Sequence, residues 1–281
     1  MIHPDIDALT SPTLKHLREH WWDDEFTEFL AETLRPRPGN RILDVGCGQG
    51  QAEVSIGRLH VSQLQLTGVD LVLENVAAAR HETASHNMRA GFAAADACHL
   101  PFRDAVFDST YCVAVLQHIG DVNAALTEFA RVTAPNGRVV VVEPDNSARY
   151  WYSSAASGRE VFGAATRFFA ALAKARDERS EAKVGPKVPT LLASHNVEPL
   201  DVRLFPVSQI QLGAPPASLW RERRARVERA LPQATADAAR ASGGELLELL
   251  GRYAAEAEQT GQAFVEIQIT MLFATVGQKL E

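Results

Sequence analysis

The sequence is poor in cysteine, in long apolar runs and in positive charge, and each shortage argues against a class of protein. Its 281 residues include three cysteines, none in Cys-x-x-Cys spacing, so a disulfide framework is excluded and a reducing cytoplasm is expected. No window approaches about 20 uninterrupted apolar residues, which argues against a membrane span. The first residues lack a basic stretch followed by an apolar run, so we expect no secretory signal.

The net charge and the spacing of possible metal ligands argue against nucleic-acid-binding and metal-binding proteins. The chain carries 35 acidic and 28 basic residues, a net charge of −7, which gives no electrostatic reason to expect a nucleic-acid partner. No group of His, Cys and carboxylate residues has metal-ligand spacing, so no metal is expected. The hydrophobic content of 46% and charged content of 22% are typical of a soluble globular protein.

The most informative stretch is Arg41-Ile42-Leu43-Asp44-Val45-Gly46-Cys47-Gly48-Gln49-Gly50. It predicts a short buried strand that breaks into a glycine turn and then a helix. Glycine is required where φ is positive or where the backbone approaches a ligand closely. A nicotinamide site would place its third glycine at position 51, which is Gln51, and a P-loop would need Gly-Lys-Ser/Thr, which is absent.

Asp44 with Gly46, Gly48 and Gly50 resembles the first motif of the class I S-adenosylmethionine-dependent methyltransferases. The next segments resemble that family in order and spacing. The strand 64–69 ends at Asp70, where a carboxylate can accept both hydroxyls of a ribose. Asp96-Ala97 precedes Leu-Pro-Phe, as in the adenine-contacting segment of the family, and 107–118 resembles its fourth strand and the crossing into the site.

The alternation of strands and helices predicts an α/β fold with a doubly wound, mostly parallel seven-stranded sheet and an antiparallel last strand. We expect an N-terminal helical element at 1–37, a cofactor-binding Rossmann-like core at 38–145, a helical substrate-cap insertion at 146–198, and the rest of the core, with a hairpin and helices, at 199–281. A helix begins near Asp23 or Asp24, and the turn 135–137 separates a helix from the fifth strand at 138–142. Trp21-Trp22 either anchors the N-terminal helix on the core or places one indole over the cofactor.

Ligands of such sheets bind beyond the carboxyl ends of the strands. The resemblance therefore implies S-adenosyl-L-methionine as cofactor, bound by residues at those ends: Asp44, Gly46, Cys47, Gly48, Gly50, Asp70, Leu71, Asp96, Ala97 and Val113. His118 follows the fourth strand and is the first candidate for a general base, because an ordinary histidine titrates near ~6.5. Glu143 ends the fifth strand and is the second candidate; hydrogen bonding to local backbone is the alternative role. Tyr150, Tyr152 and His195 are weaker candidates, and His99 is expected at the surface.

The sequence therefore predicts a cytoplasmic methyltransferase that modifies an O, N or C atom of a small aromatic or apolar metabolite, in secondary or cofactor metabolism. We expect a monomer or homodimer without a nucleic-acid or membrane partner. Two alternatives remain open, an RNA methyltransferase and a cofactor-binding subunit without catalysis. The acidic balance disfavours the first, and the intact motifs with an aromatic-rich cap disfavour the second.

Overall fold

The computed structural model describes residues 21–175 and 184–281. These residues fall into two compact units. The first contains 21–147, 184–207 and 271–281, and the second contains 148–175 and 208–270. The part of the expected N-terminal element before Trp21 lies outside the described residues.

The helices and strands alternate as the sequence predicts. The strands are β1 Arg41–Val45, β2 Gln65–Asp70, β3 Ala90–Ala94, β4 Phe107–Val113, β5 Thr133–Pro144, β6 Tyr150–Ser153, β7 Val197–Leu212 and β8 Val265–Lys279. The helices are α1 Asp24–Leu34, α2 Gln51–Gly57, α3 Leu73–Ser85, α4 Val122–Val132, α5 Gly158–Ala175, α6 Val188–Ala193, α7 Ala217–Ala230 and α8 Asp237–Thr260. No helix in the described ranges is long and apolar enough to cross a membrane.

The first unit is built on a sheet in the order β3-β2-β1-β4-β5-β8, with β7 also paired to β8. The strands from β3 to β5 are parallel, and β8 is antiparallel to β5. Within the second unit β6 also pairs with β8, so the described residues form an eight-stranded sheet, one strand more than predicted. The predicted doubly wound, mostly parallel α/β sheet is confirmed. Val139 to Val142 are all 0% exposed, as expected for a strand covered on both faces.

Successive residues of each strand point to opposite faces, and separate helices cover the two faces. Leu43 and Val45 pack in one cluster with residues of α4 and α6. Ile42 and Tyr111 pack in another with residues of α1 and α2. Trp21 and Trp22 are half-buried against this second cluster, and the Trp22 and Phe26 rings meet edge to face at 5.2 Å. The tryptophans therefore anchor α1 on the core.

The fifth strand is longer than the pattern predicts. We expected a turn at 135–137 before a strand at 138–142, but β5 begins at Thr133. Phe107 pairs with Thr133 and Ser109 with Arg138, so the predicted turn is a bulge inside the strand. Asn136 has a φ of 63° in this bulge, and asparagine is one of the few residues that tolerate that region.

The second unit has its own apolar core, which α5, α7 and α8 share. Phe168 of α5 packs with Leu246 and Tyr253 of α8 and with Val227 of α7. The sequence suggests a cap confined to 146–198, whereas the structure groups 148–175 with 208–270 and places 184–207 in the first unit. The reason is packing, because the apolar face of α5 is buried by helices that follow much later in the chain.

Candidate active site

The glycine turn after β1 lies at the carboxyl end of the sheet. Gly46 has a φ of 78°, and a side-chain Cβ at this position would lie 2.3 Å from Cγ2 of Val115. The N–H groups of Gly46 and Cys47 both donate to the carbonyl of Val69, at 2.7 and 2.9 Å, so the turn is fixed to β2. Only glycine satisfies both the backbone conformation and the close approach at position 46.

Asp70 at the end of β2 is held by three donors. Its carboxylate accepts the N–H of Gly48 at 2.9 Å, the N–H of Val72 at 2.9 Å and the side-chain amide of Asn75 at 3.3 Å. A carboxylate has about four lone-pair sites, so one remains for a further donor such as a ribose hydroxyl. The glycine turn and the predicted ribose-binding carboxylate thus form one hydrogen-bonded unit.

Asp96 follows β3 and is oriented by a local turn. One carboxylate oxygen accepts the N–H of Cys98 at 2.9 Å, and the other lies 3.6 Å from Nδ1 of His99. The His99 side chain is 83% exposed, which agrees with the surface position expected for it. The Asp96 side chain is itself 44% exposed and can meet a ligand amine.

The segment after Asp96 is tied to α4 by two residues that the sequence pattern did not single out. Glu128 accepts the N–H of Leu100 at 2.7 Å. Arg131 donates to the carbonyls of Leu100 and Phe102, at 3.1 and 2.8 Å, and forms an ion pair with Glu128. A Glu followed three residues later by an Arg on an amphipathic helix is the sequence signal that could have indicated these hydrogen bonds.

These strand ends border an open cleft of about 630 Å³, including the part that faces solvent. Six predicted cofactor residues line it: Gly46, Asp70, Leu71, Asp96, Ala97 and Val113. His118, the predicted base, also lines it. Six further residues that we did not predict complete the wall: Val45, Val72, Asn75, Ala95, Ala114 and Val115.

Four predicted cofactor residues do not line the cleft. Gly48 and Gly50 shape the turn, and Gly50 is the N-cap of α2 with a φ of 88°. Cys47 and Asp44 are buried, at 5% and 4% exposure. These four residues shape the site, and their direct contact with the cofactor stays a prediction.

A buried acidic pair lies behind the turn. In the sheet, Asp44 is in register with Gly68 on one side and with Tyr111 on the other. A Cβ on Gly68 would lie 2.5 Å from Oε1 of Glu53, so the Glu53 carboxyl occupies the space over Gly68. Glu53 is 1% exposed, and neither carboxyl oxygen has a hydrogen-bond partner among the described residues.

Burial governs the protonation of this acidic pair. It raises the pKa of Asp44 to about 8; the Asp70 carboxylate adds to the rise and the nearby Tyr111 phenol opposes it. Burial, followed by repulsion from Asp44, raises the pKa of Glu53 well above its ordinary value. Like charges that share a buried space cannot both ionise at low cost, so at least one proton is retained near neutral pH.

Glu143, the second predicted base, is buried against backbone donors. It is 0% exposed, and its carboxylate accepts the N–H groups of Val115 at 2.7 Å and Leu116 at 2.6 Å. This burial argues against the base role, which stays a prediction, because a general base must come within hydrogen-bond reach of its substrate. Hydrogen bonding to local backbone, the alternative considered from the sequence, is what the structure contains.

The weaker candidates are not among the residues that line the cleft. Tyr150 and Tyr152 are 55% and 46% exposed on β6 in the second unit. Nδ1 of His195 lies 2.7 Å from the carbonyl of Leu191, one turn back in the chain. Trp151 stacks on Phe162 at 5.3 Å inside the second unit, so these two aromatics serve packing.

The three cysteines differ in accessibility. All are free thiols; Cys47 and Cys112 are buried and Cys98 is half-buried. Burial raises the pKa of Cys98 to about 11, with Asp96 adding to the rise, and burial raises the pKa of Cys47 and Cys112 further. Within 21–175 and 184–281 no three His, Cys, Asp or Glu side chains are grouped to hold a metal ion.

The polar groups of the cleft are suited to an adenosine. Asp70 and Asp96 line the cleft and present acceptors for hydroxyl and amine donors, and Gly46 shapes its base by allowing Val115 to approach the turn. The family model described as a methyltransferase domain matches residues 43–141, which include all of these groups. Residues 43–141 are a class I methyltransferase domain. This confirms the family expected from the sequence, and with it S-adenosylmethionine as the cofactor of the domain.

Curated relatives share the methyltransferase domain. An O-methyltransferase of Pyrenophora dematioidea is 37% identical over 122 residues, 43% of this chain and 45% of that protein. The 27-O-demethylrifamycin SV methyltransferase of Amycolatopsis mediterranei is 32% identical over 148 residues, 48% of this chain and 53% of that protein. The chain thus spans about half the length of these curated relatives.

Solved structures share the fold at low identity. The [4+2]-cyclase SpnF matches with a TM-score of 0.56 and 18% identity, covering 99% of this chain and 96% of that one. A Haemonchus contortus phosphoethanolamine N-methyltransferase in complex with S-adenosyl-L-methionine matches with a TM-score of 0.54 and 17% identity, covering 99% of this chain and 60% of that one. The fold is therefore common to proteins of different activity, and the methyltransferase domain alone does not fix the reaction.

Proposed function

We propose that the protein transfers a methyl group from S-adenosylmethionine to a small aromatic or apolar metabolite, with a hydroxyl oxygen as acceptor. The observation that carries the proposal is the convergence of Gly46, Asp70 and Asp96 on one cleft whose wall also includes His118. The names of relatives such as the O-methyltransferase of Pyrenophora dematioidea support oxygen over nitrogen or carbon.

In this proposal the cofactor is held mainly by two carboxylates. Asp70 accepts a ribose hydroxyl at its remaining acceptor site, and its three protein donors keep it in place before the cofactor arrives. Asp96 accepts the exocyclic amine of adenine, with the small Ala97 beside it leaving space for the ring. Preorganised acceptors increase affinity, because less side-chain freedom is lost on binding.

The acceptor is placed on the side of the cleft that His118 lines. When bound, S-adenosylmethionine supplies an electrophilic methyl group on a positively charged sulfur. Alignment of donor and acceptor can contribute on the order of 7–11 kcal/mol to such a displacement. A phenol or alcohol must lose a proton as the new bond forms, and His118 accepts that proton in our proposal.

The broader setting is also proposed. Free thiols at all three cysteines support a reducing compartment, and we keep the cytoplasm as the location. The net charge of −7 supports a small-molecule acceptor over RNA. Relatives named for rifamycin and menaquinone precursors support an acceptor from secondary or cofactor metabolism.

Calorimetry of cofactor binding tests the first half of the proposal. We expect the purified protein to bind S-adenosylmethionine, and Asp70→Ala to weaken binding about 10- to 100-fold, since a hydrogen bond to a charged group contributes roughly 1.5–3 kcal/mol. Asp237→Ala is the matched control, because that side chain is 97% exposed at the start of α8. A wild-type protein that binds no S-adenosylmethionine would refute the proposal.

Turnover tests the second half. The protein is incubated with S-adenosylmethionine and hydroxylated aromatic acceptors, and S-adenosylhomocysteine and methylated products are measured by mass spectrometry. We expect O-methylation, with kcat reduced about 100-fold or more in His118→Asn at unchanged cofactor affinity. Methylation of RNA, or cofactor binding without turnover on any acceptor, would favour the two alternatives instead.

A further inference from the structure

The buried carboxylate of Glu143 organises the backbone that follows β4. Besides the short bonds from the N–H groups of Val115 and Leu116, at 2.7 and 2.6 Å, it accepts the N–H of Gln117 at 3.4 Å. Three successive backbone donors therefore point at one side chain from the neighbouring strand. Glu143 is 0% exposed, so these bonds form away from bulk water, where they are stronger.

An unusual backbone conformation makes this convergence possible. Ala114 has a φ of 57°, in the left-handed region, and Val115 follows in the right-handed helical region with φ −110° and ψ −49°. A left-handed residue next to a right-handed one turns successive N–H groups towards a common point, where an anion binds. Because an alanine is disfavoured at positive φ, the surrounding contacts must hold this conformation in place.

The same backbone forms part of the cofactor cleft. Ala114, Val115 and His118 all line the cleft. Val115 also fills the space over Gly46, since a Cβ on Gly46 would lie 2.3 Å from Val115 Cγ2. The side chain of Gln117 accepts a 2.8 Å hydrogen bond from Asn146, just after β5. The position of Glu143 therefore sets the position of the wall on which both the glycine turn and His118 depend.

We propose that Glu143 is a positioning residue, which holds residues 114–118 in the conformation that binds the cofactor and orients His118. The inference rests on the proposed function for its cofactor and its base, but the hydrogen-bonding role of Glu143 does not. It replaces the proton-accepting role that the sequence indicated for this residue.

The experiment compares Glu143→Gln with Glu266→Gln. Glu266 is the matched control, because it is a buried glutamate, 3% exposed, that is bound to Arg223 and Tyr253 in the second unit. We expect both variants to lower the melting temperature. We expect Glu143→Gln to weaken S-adenosylmethionine binding about 10-fold or more by calorimetry, because the neutral amide lacks the negative charge on which the three N–H groups converge and its NH2 group faces the N–H of Gln117. Glu266→Gln should stay within about twofold of wild type.

Two further readouts separate positioning from proton transfer. Amide hydrogen exchange at Val115, Leu116 and Gln117 should accelerate in Glu143→Gln and not in Glu266→Gln, and this measurement needs no cofactor. The pH profile of kcat/KM should keep the limb that His118 sets. Unchanged cofactor affinity and unchanged exchange, with loss of turnover and of that limb, would overturn the proposal. If the wild-type protein binds no cofactor, the proposed function fails while the exchange measurement still decides the role of Glu143.

Discussion

Replacing Glu53 by glutamine should change how the stability of the protein depends on pH. Glu53 and Asp44 share a buried space beside Gly68, and the pKa of both carboxyls is raised. The folded protein therefore keeps protons that the unfolded chain releases. Stability from this protonation is fully present below pH about 4 and is lost as pH rises towards the folded pKa.

The magnitude follows from the pKa of Asp44, which burial raises from 3.8 to about 8. Between these values each retained proton lowers the free energy of unfolding by about 1.4 kcal/mol per pH unit. Asp44 alone thus contributes a loss of about 3 kcal/mol between pH 5 and pH 7. Glu53 titrates in the same direction, so the pair can contribute up to about twice that slope.

Urea unfolding followed by circular dichroism at pH 5, 6 and 7 measures this slope. Glu53→Gln removes one titrating group and the charge next to Asp44, so the slope should fall by half or more and stability at pH 7 should rise. Glu258→Gln, on the exposed side of α8, serves as a control that leaves the slope unchanged. The reasoning is refuted if the slopes of wild type and Glu53→Gln coincide.

Three other substitutions test separate parts of the structure. Gly46→Ala should destabilise the fold by about 2 kcal/mol or more, because residue 46 has a positive φ and the new Cβ would clash with Val115. A melting curve equal to that of the wild type would contradict this. Arg131→Met should remove the hydrogen bonds to the Leu100 and Phe102 carbonyls, lower the free energy of unfolding by about 1–2 kcal/mol and accelerate amide hydrogen exchange at residues 100–104. Unchanged exchange would show that these hydrogen bonds are unimportant. Tyr253→Phe removes the phenol that donates to Glu266 and accepts from the Ser153 hydroxyl, and should lower the free energy of unfolding in urea by about 1 kcal/mol with cofactor affinity unchanged; weaker cofactor binding would contradict a purely structural role.

The convergence of the proposed cofactor residues on one cleft was predictable, because they are close in sequence to strand ends. Gly46, Asp70 and Asp96 each follow a buried strand, and parallel strands bring their carboxyl ends to one edge. The glycine turn and the acidic residues at the strand ends are local features, so a sequence pattern can indicate them. The position of His118 followed from the same rule applied to β4.

The remaining features depend on distant contacts that a pattern does not record. In the sequence, Glu53 is an ordinary polar position at the start of α2. Only the structure, in which Asp44 pairs with Gly68, shows that the Glu53 carboxyl is buried. The position of Glu143 at the end of β5 was visible, but its bonds to 115–117 require the conformation of Ala114. The helices that pack on α5 are α7 and α8, at 217–230 and 237–260, far beyond the predicted cap, and the substrate-binding role of that cap stays a prediction.

The unequal burial of the thiols gives the native chain a single attachment point for a spectroscopic label. Cys98 is half-buried one residue beyond Ala97, which borders the cleft, whereas the other two thiols are enclosed. A maleimide dye applied under mildly alkaline conditions should therefore modify Cys98 first, since the thiolate is the reacting species. Its fluorescence would follow ligand entry without any engineered residue.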